Sequence, residues 1–417
     1  MTYELWAPES VNTTINLPAS KSISNRALII HALSGSKTLP TNLSNCDDTE
    51  VIIRALNDMP DTIDIMAAGT AMRFMTAYLS ATPGEHTLTG TQRMKERPIG
   101  ILVDALRHLG ADIGYVDKEG FPPLHIKGQP LRGGHITVDG SISSQYISAL
   151  LMVGPILKEG LEMRLLGDII SRPYIDLTLC TMRDFGAEVD WTGPDTITVK
   201  AQPYRERTYF IENDWSGASY WYEMAALHHG QDNEICLNGL TDGSKQGDST
   251  VRYLFSLLGV KTTFDDERKE VPTTVRLKRS SPPVPRMEYD FINQPDLAQT
   301  FVVTCPLLDV PFHFKGLSTL KIKETDRIEA LKKEMRKLGY VIHDVKGKEL
   351  YWDGERCEPQ AKPVINTYND HRMALAFAPA SCLIPFLRIA HPEVVTKSYP
   401  LFWQDLQQAG FIINEMP

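Results

Sequence analysis

The chain has 417 residues, too many for one ordinary hydrophobic core, so two domains are expected. A hydrophobic content of 42% excludes a disordered chain, and a formal charge of −9 excludes nucleic-acid binding by bulk charge. Any anion site must therefore be a local concentration of Lys and Arg.

Six cysteines, Cys46, Cys180, Cys236, Cys305, Cys357 and Cys382, are scattered, with no Cys-x-x-Cys and no His at zinc-ligand spacing. This points to a reduced, cytoplasmic protein. The N-terminus lacks the basic and apolar regions of a signal peptide, and no apolar run reaches membrane-spanning length, so neither export nor a membrane partner is expected.

In chain order, the first charged helix start is Ser20-Lys21-Ser22-Ile23-Ser24-Asn25-Arg26, followed by the apolar run Ala27–Ile30. Hydroxyls, free helical N–H groups and Lys21 together make a seat for an anion, although a plain cap beside a solvated lysine has the same pattern. Asp47–Leu56 then predicts a helix that stops near Met59-Pro60. Ala67-Ala68-Gly69-Thr70-Ala71-Met72-Arg73 reads as a tight turn into a helix, with Gly69 open to close approach by a ligand and Thr70 able to cap. Gln92–Arg97 places three cations ahead of a helix expected from near Pro98, and Arg97 can fork a carboxylate or phosphate. Asp139–Tyr146 is a hydroxyl-rich turn whose Ser143 and Ser144 offer donors at a helix start, and Ser171-Arg172-Pro173-Tyr174 repeats that chemistry.

In the second half, Asp296 precedes a helix and reads either as a cap or as a general base. The run Ser318–Ala330 is the densest charge cluster: Lys321, Lys323 and Arg327 surround Glu324 and Asp326 at the start of an amphipathic helix. Such packing suits a site that holds an anion and moves a proton, and Asp326 is expected in a structural ion pair. Asn369-Asp370-His371-Arg372 is a second mixed cluster at a helix start, where His371 is a proton-handling candidate. Lys397 is a further cation just before a helix.

One pattern spans these motifs. An amphipathic helix ends at glycine and a strand-like run follows, at Gly110, Gly186, Gly259, Gly339 and Gly410, spaced 76, 73, 80 and 71 residues apart. After Gly339 the strand is expected at Tyr340-Val341-Ile342. The stop at Met59-Pro60 is a sixth, shorter copy. The period predicts a duplicated α/β subdomain, three copies in each half, with the first about 20 residues short. Glu212–Gly217, at the midpoint, is the expected hinge.

Taken together, Lys21–Arg26, Ala68–Arg73, Arg93–Pro98, Asp139–Gln145, Ser171–Tyr174, Lys245–Asp248, Lys323–Arg327 and Asn369–Arg372 resemble the 5-enolpyruvylshikimate-3-phosphate synthases (3-phosphoshikimate 1-carboxyvinyltransferases), from Pro18 to about Phe402. The resemblance implies an α/β (α+β) enolpyruvyl transferase fold, each domain built of three βαβαββ subdomains with the first shortened. It implies an N-terminal domain of residues 20–212, a C-terminal domain of 1–19 and 213–417, and a site in the cleft between them. It further implies transfer of the enolpyruvyl group of phosphoenolpyruvate to the 5-hydroxyl of shikimate 3-phosphate, in the shikimate pathway toward aromatic amino acids. No metal or organic cofactor is implied, and the partners are the two small-molecule substrates of a cytoplasmic monomer, with no nucleic acid or membrane.

By matching motif, Lys21, Ser22, Arg26, Ser143, Ser144, Gln145, Ser171, Tyr174, Asp296 and Lys323 are implied for shikimate 3-phosphate. Lys21, Gly69, Arg97, Gln145, Arg327, Arg372 and Lys397 are implied for phosphoenolpyruvate. The catalytic set implied is Asp296, Glu324, Lys21 and His371. The family usually carries Asn where Ala67 stands and commonly Asn at Thr319. Two alternatives remain at this stage: a UDP-N-acetylglucosamine enolpyruvyl transferase, against which Cys46 sits at an acidic helix start unsuited to a thiolate, and a non-catalytic anion-binding relative.

Overall fold

The computed structural model describes residues 1–228, 230 and 233–416. The chain divides into two compact units, an N-terminal unit of Ala19–Ile211 and a C-terminal unit of Met1–Pro18 with Glu212 onward. The chain crosses between them at Pro18/Ala19 and at Ile211/Glu212, the latter at the first residue of the Glu212–Gly217 stretch.

Among the described residues one sheet pattern occurs five times. In the N-terminal unit, Thr62–Asp64 lies parallel to Gly84–Thr89, which pairs antiparallel with Leu124–Gly128, which pairs antiparallel with Asp112–Tyr115. Helices Gly69–Ala81 and Gly100–His108 make the connections, so the order along the chain is βαβαββ. Gly134–Asp139, Leu161–Leu166, Thr196–Val199 and Val189–Trp191 repeat this order of pairing, with helices Ser144–Val153 and Arg172–Asp184.

The described residues of the C-terminal unit form three such sheets. In the last of them the chain's own first strand, Thr2–Trp6, takes the third place, between Leu387–Ala390 and Ile412–Met416. The shortened first copy keeps two helices, Lys21–Ser34 and Asp47–Asp58, but among the described residues its sheet is reduced to one bridge, Thr41 to Phe210.

The two kinds of helix differ in burial for a reason visible in their residues. Helices that follow the first strand of a copy, such as Trp215–Leu227 and Ala298–Leu307, are predominantly apolar with no polar face and are almost wholly buried. Helices that precede the glycine stops bury one face, as Gly100–His108 does through Leu102, Val103 and Leu106. All five stop glycines have positive φ, between 83° and 101°. At Gly259 a side chain is excluded for a second reason, since a Cβ would stand 2.2 Å from the Ser281 carbonyl oxygen. After Gly339 the strand is His343–Val345, later than the run Tyr340-Val341-Ile342; Val341 N–H instead donates to Glu355 O at 3.1 Å, and Tyr340 forms an isolated bridge with Arg356.

Each unit has its own core, around Trp215, Trp221 and Trp352 in one and Phe74 and Phe185 in the other. Among the described residues no helix is long and apolar enough to cross a membrane.

Candidate active site at the charged helix starts

In the C-terminal unit the charged motifs converge on Arg327, the first residue of the helix Arg327–Lys337 and only 2% exposed. Its Nε donates to Asp370 Oδ2 at 2.7 Å, and its Nη2 to Asp370 Oδ1 and Glu324 Oε2, each at 3.1 Å. Its Nη1 donates to Asp296 Oδ1 at 3.3 Å. Burial opposes the charge on Arg327, and these three carboxylates outweigh it, so its pKa is raised.

Asp296 lies in the 3₁₀ turn Pro295–Leu297 and makes no helix cap. It faces cations instead: Arg372 Nη2 at 3.0 Å, Arg327, and Lys323 Nζ at 3.7 Å. Arg372 also donates to the Tyr220 hydroxyl and to the Asp296 carbonyl, each at 3.2 Å. Lys397 Nζ stands 2.7 Å from Glu324 Oε1. For Lys323, Asp296 pulls the pKa up, but burial with Arg327 and Arg372 prevails and it falls below the usual lysine value. Buried Asp248 accepts from Ser216 Oγ; burial, joined by the nearby Asp296 charge, raises it to about 6. His371 is buried with Nδ1 3.7 Å from Asp370 Oδ1. The expected ion pair of Asp326 is corrected: its carboxylate caps the helix by accepting from Glu329 N at 3.2 Å, the cheapest way to satisfy an end N–H there.

In the N-terminal unit four helix starts gather. Helix Lys21–Ser34 packs against Gly69–Ala81, Ser144–Val153 and Arg172–Asp184. Gln145 Nε2 donates to Thr70 Oγ1 at 3.0 Å, joining the first turns of two of these helices. Thr70 therefore is not the cap expected of it; Ala68 holds that place with no side-chain bond. Arg26 joins three helices: Nε to Thr178 Oγ1 at 2.7 Å, Nη1 to Ser22 O at 2.8 Å, and Nη2 to Tyr174 O at 3.2 Å and Ser148 Oγ at 3.3 Å. Four of its five N–H groups thus serve the protein itself. Burial lowers its pKa to about 10, against the pull of Tyr174.

Ser20 caps the first helix, accepting from Ile23 N at 3.4 Å, and Lys21 Nζ lies 3.3 Å from Asp48 Oδ2. Ser143 caps its helix by accepting from Gln145 N at 3.3 Å, with Ser144 buried behind it. Ser171 precedes its helix in the left-handed region, φ 55°. Gly69 is backed by guanidinium groups; a Cβ there would meet Arg97 Nη1 at 2.7 Å and Arg73 Nη1 at 3.2 Å. The helix after Arg97 begins at Gly100, two residues beyond Pro98. Ala67 is exposed in a turn held by Met66 N to Asp64 Oδ1 at 2.8 Å. Cys46 is buried, and burial raises its thiol pKa.

The structure thus brings together Asp296, Lys323, Glu324, Arg327, Arg372 and Lys397 in one unit, and Gly69 with Arg97 and Ser22 with Arg26 and Tyr174 in the other. Sequence reasoning gave no role to Asp370 and Asp48, although each sits at a helix start beside a cation. It had no means of finding Tyr220, one aromatic among several on a wholly buried helix.

The architecture aligns with EPSP synthase from Acinetobacter baumannii at a TM-score of 0.79, covering 99% of this chain and 100% of that one at 20% identity. Repeated βαβαββ sheets in two units define the enolpyruvyl transferase fold. A family model described as EPSP synthase (3-phosphoshikimate 1-carboxyvinyltransferase) matches residues 5–64 and 57–406. A 3-phosphoshikimate 1-carboxyvinyltransferase of Bacteroides fragilis is 59% identical over 414 residues, 99% of each chain, and one of Pseudoalteromonas atlantica is 33% identical over 96% of each. The chain belongs to the EPSP synthase family.

Proposed function

We propose that the two sets of helix-start residues carry enolpyruvyl transfer. The chain is a transferase that moves the enolpyruvyl group of phosphoenolpyruvate to the 5-hydroxyl of shikimate 3-phosphate and releases phosphate, a step of the shikimate pathway. The observation that carries the assignment of roles is the contact of one buried guanidinium, Arg327, with both candidate proton carriers, Asp296 and Glu324.

Chemically, a proton must reach C3 of phosphoenolpyruvate, leaving positive charge at C2. The 5-hydroxyl oxygen bonds to C2 and loses its proton. The C2–O bond to phosphate then breaks with its electron pair, and C3 returns a proton to restore the double bond. Asp296 takes the hydroxyl proton. Glu324, with Lys21, handles the proton at C3, its negative charge also favouring the cation at C2; His371 assists.

Arg327, Arg372, Lys397, Arg97, Lys21, Gly69 and Gln145 hold phosphoenolpyruvate, where fixed cations meet its phosphate and carboxylate. Ser22, Ser143, Ser144, Gln145, Ser171, Tyr174, Lys21, Lys323 and Asp296 hold shikimate 3-phosphate. Arg26 contributes chiefly by fixing the helix starts that present them. The enzyme works as a cytoplasmic monomer.

Purified protein mixed with both substrates should release phosphate. Both ligands bound without release would favour a non-catalytic anion binder. Release only when UDP-N-acetylglucosamine replaces shikimate 3-phosphate would favour the other enolpyruvyl transferase chemistry.

A further inference from the structure

The segment that delivers Asp370 and Arg372 is conformationally costly. Tyr368 and Asn369, immediately before Asp370, both have left-handed backbone, φ 54° and 55°, and neither is glycine. Successive non-glycine residues in that region are unfavourable, the tyrosine more than the asparagine, so the surroundings must hold them. A single buried side chain makes much of that hold. Glu334 has no exposed surface, and its Oε1 accepts from the Tyr368 hydroxyl at 2.6 Å. Its Oε2 accepts from Asn366 N at 3.0 Å and from Lys337 Nζ at 2.5 Å, and Lys337 also donates to Val364 O at 2.7 Å.

Glu334 lies seven residues after Arg327, two turns along the same helix face. One helix therefore holds the 364–372 segment at two points: Glu334 fixes Asn366 and Tyr368, and Arg327 grips Asp370. Asp370 in turn caps the helix His371–Phe377 by accepting from Arg372 N at 3.0 Å. The path from Glu334 to Arg372 is thus continuous through hydrogen bonds and the two left-handed residues Tyr368 and Asn369.

We infer that Glu334, through Tyr368, is a positioning residue for Asp370 and Arg372, setting the left-handed turn that holds Asp370 on Arg327 and places Arg372 for phosphoenolpyruvate. The inference rests on the reading that Arg372 binds this substrate. A plain core ion pair would stabilise the fold without tuning affinity; a positioning residue acts on ground-state binding, so its loss falls on KM and spares kcat.

The test is steady-state kinetics with thermal midpoints for Tyr368→Phe, Glu334→Gln and Glu334→Ala. Tyr368→Phe removes one hydroxyl and keeps the ring; the phosphoenolpyruvate KM should rise about three- to tenfold, the scale of one hydrogen bond, with kcat within about twofold. Glu334→Gln retains an acceptor oxygen and should recover most of the affinity that Glu334→Ala loses. A lowered midpoint with an unchanged KM in both Tyr368→Phe and Glu334→Gln would overturn the inference. The wild-type rate, measured alongside, separates two failures: an inactive wild type overturns the function reading and this inference with it, whereas an active wild type with an unchanged variant KM overturns this inference alone.

Discussion

Arg327 grips Asp370 with two N–H groups, Nε to Oδ2 at 2.7 Å and Nη2 to Oδ1 at 3.1 Å, and Asp370 has no exposed surface. The fork fixes the plane of the guanidinium, and with it the direction in which Nη1 meets Asp296 and Nη2 meets Glu324. Lysine keeps the charge but cannot occupy all these directions from one point. Arg327→Lys should therefore raise the phosphoenolpyruvate KM by about tenfold or more, and lower the thermal midpoint because buried Asp370 loses part of its pairing. A KM within about twofold of wild type would show that position of the charge, and not its geometry, is what the site uses.

Glu324 is held at both ends, Oε1 by Lys397 at 2.7 Å and Oε2 by Arg327 at 3.1 Å. Glu324→Gln keeps the shape and one acceptor oxygen, but it cannot carry a proton at C3. Substrate affinities should stay within a few-fold while kcat falls by about two to four orders of magnitude, the usual scale for a general acid or base. Equilibrium binding of phosphoenolpyruvate together with phosphate-release rates reads both quantities. Unchanged turnover would remove Glu324 from proton transfer.

The repeat was legible in the sequence because its marks are local: an amphipathic helix, a glycine that alone tolerates the left-handed stop, and a strand. All five stops at Gly110 to Gly410 follow that logic. The strand expected directly after Gly339 is displaced because the chain there pairs with a distant stretch, Val341 N–H donating to Glu355 O and Cys357 N–H to Gly339 O, a tertiary outcome that propensity does not encode. Charged helix starts were legible for the same local reason. Partner identity within them was not. Asp326 was expected in an ion pair and is a cap, and Thr70 was expected as a cap and accepts from Gln145, because both depend on which element packs alongside. Glu334 lay in a stretch of alternating charges typical of a solvated helix face, and only the fold shows it buried.

Gly69 has no room for a side chain on the side of Arg97. A Cβ there would meet Arg97 Nη1 at 2.7 Å and Nη2 at 3.1 Å, closer than unstrained contacts allow. The atoms it meets are the far end of a flexible side chain, so Arg97 would swing aside at little cost to the fold. Gly69→Ala should raise the phosphoenolpyruvate KM by about two- to tenfold, leave the shikimate 3-phosphate KM within about twofold, and move the thermal midpoint little. Equal changes in both substrate constants would mean that the helix start, and not Arg97 alone, had moved.

Glu223 lies on the almost wholly buried helix Trp215–Leu227, and among the described residues neither carboxyl oxygen has a hydrogen bond of good geometry. Burial drives its pKa well above the usual carboxylate range; the Thr304 hydroxyl opposes this, but that hydroxyl gives its own proton to Thr300 O at 2.7 Å. The folded protein therefore keeps a proton that the unfolded chain gives up above about pH 4.3. Since the folded-state pKa is the higher one, the stability Glu223 contributes is complete below the unfolded pKa and is lost as pH rises toward and through the folded value. The slope approaches about 1.4 kcal/mol per pH unit within that window. Glu223→Gln is neutral throughout and has no such slope. Thermal midpoints of the two proteins should lie close together near pH 4 and diverge in favour of the variant as pH rises above the usual carboxylate range. A gap that stays constant over that range would show that the Glu223 proton is not retained on folding.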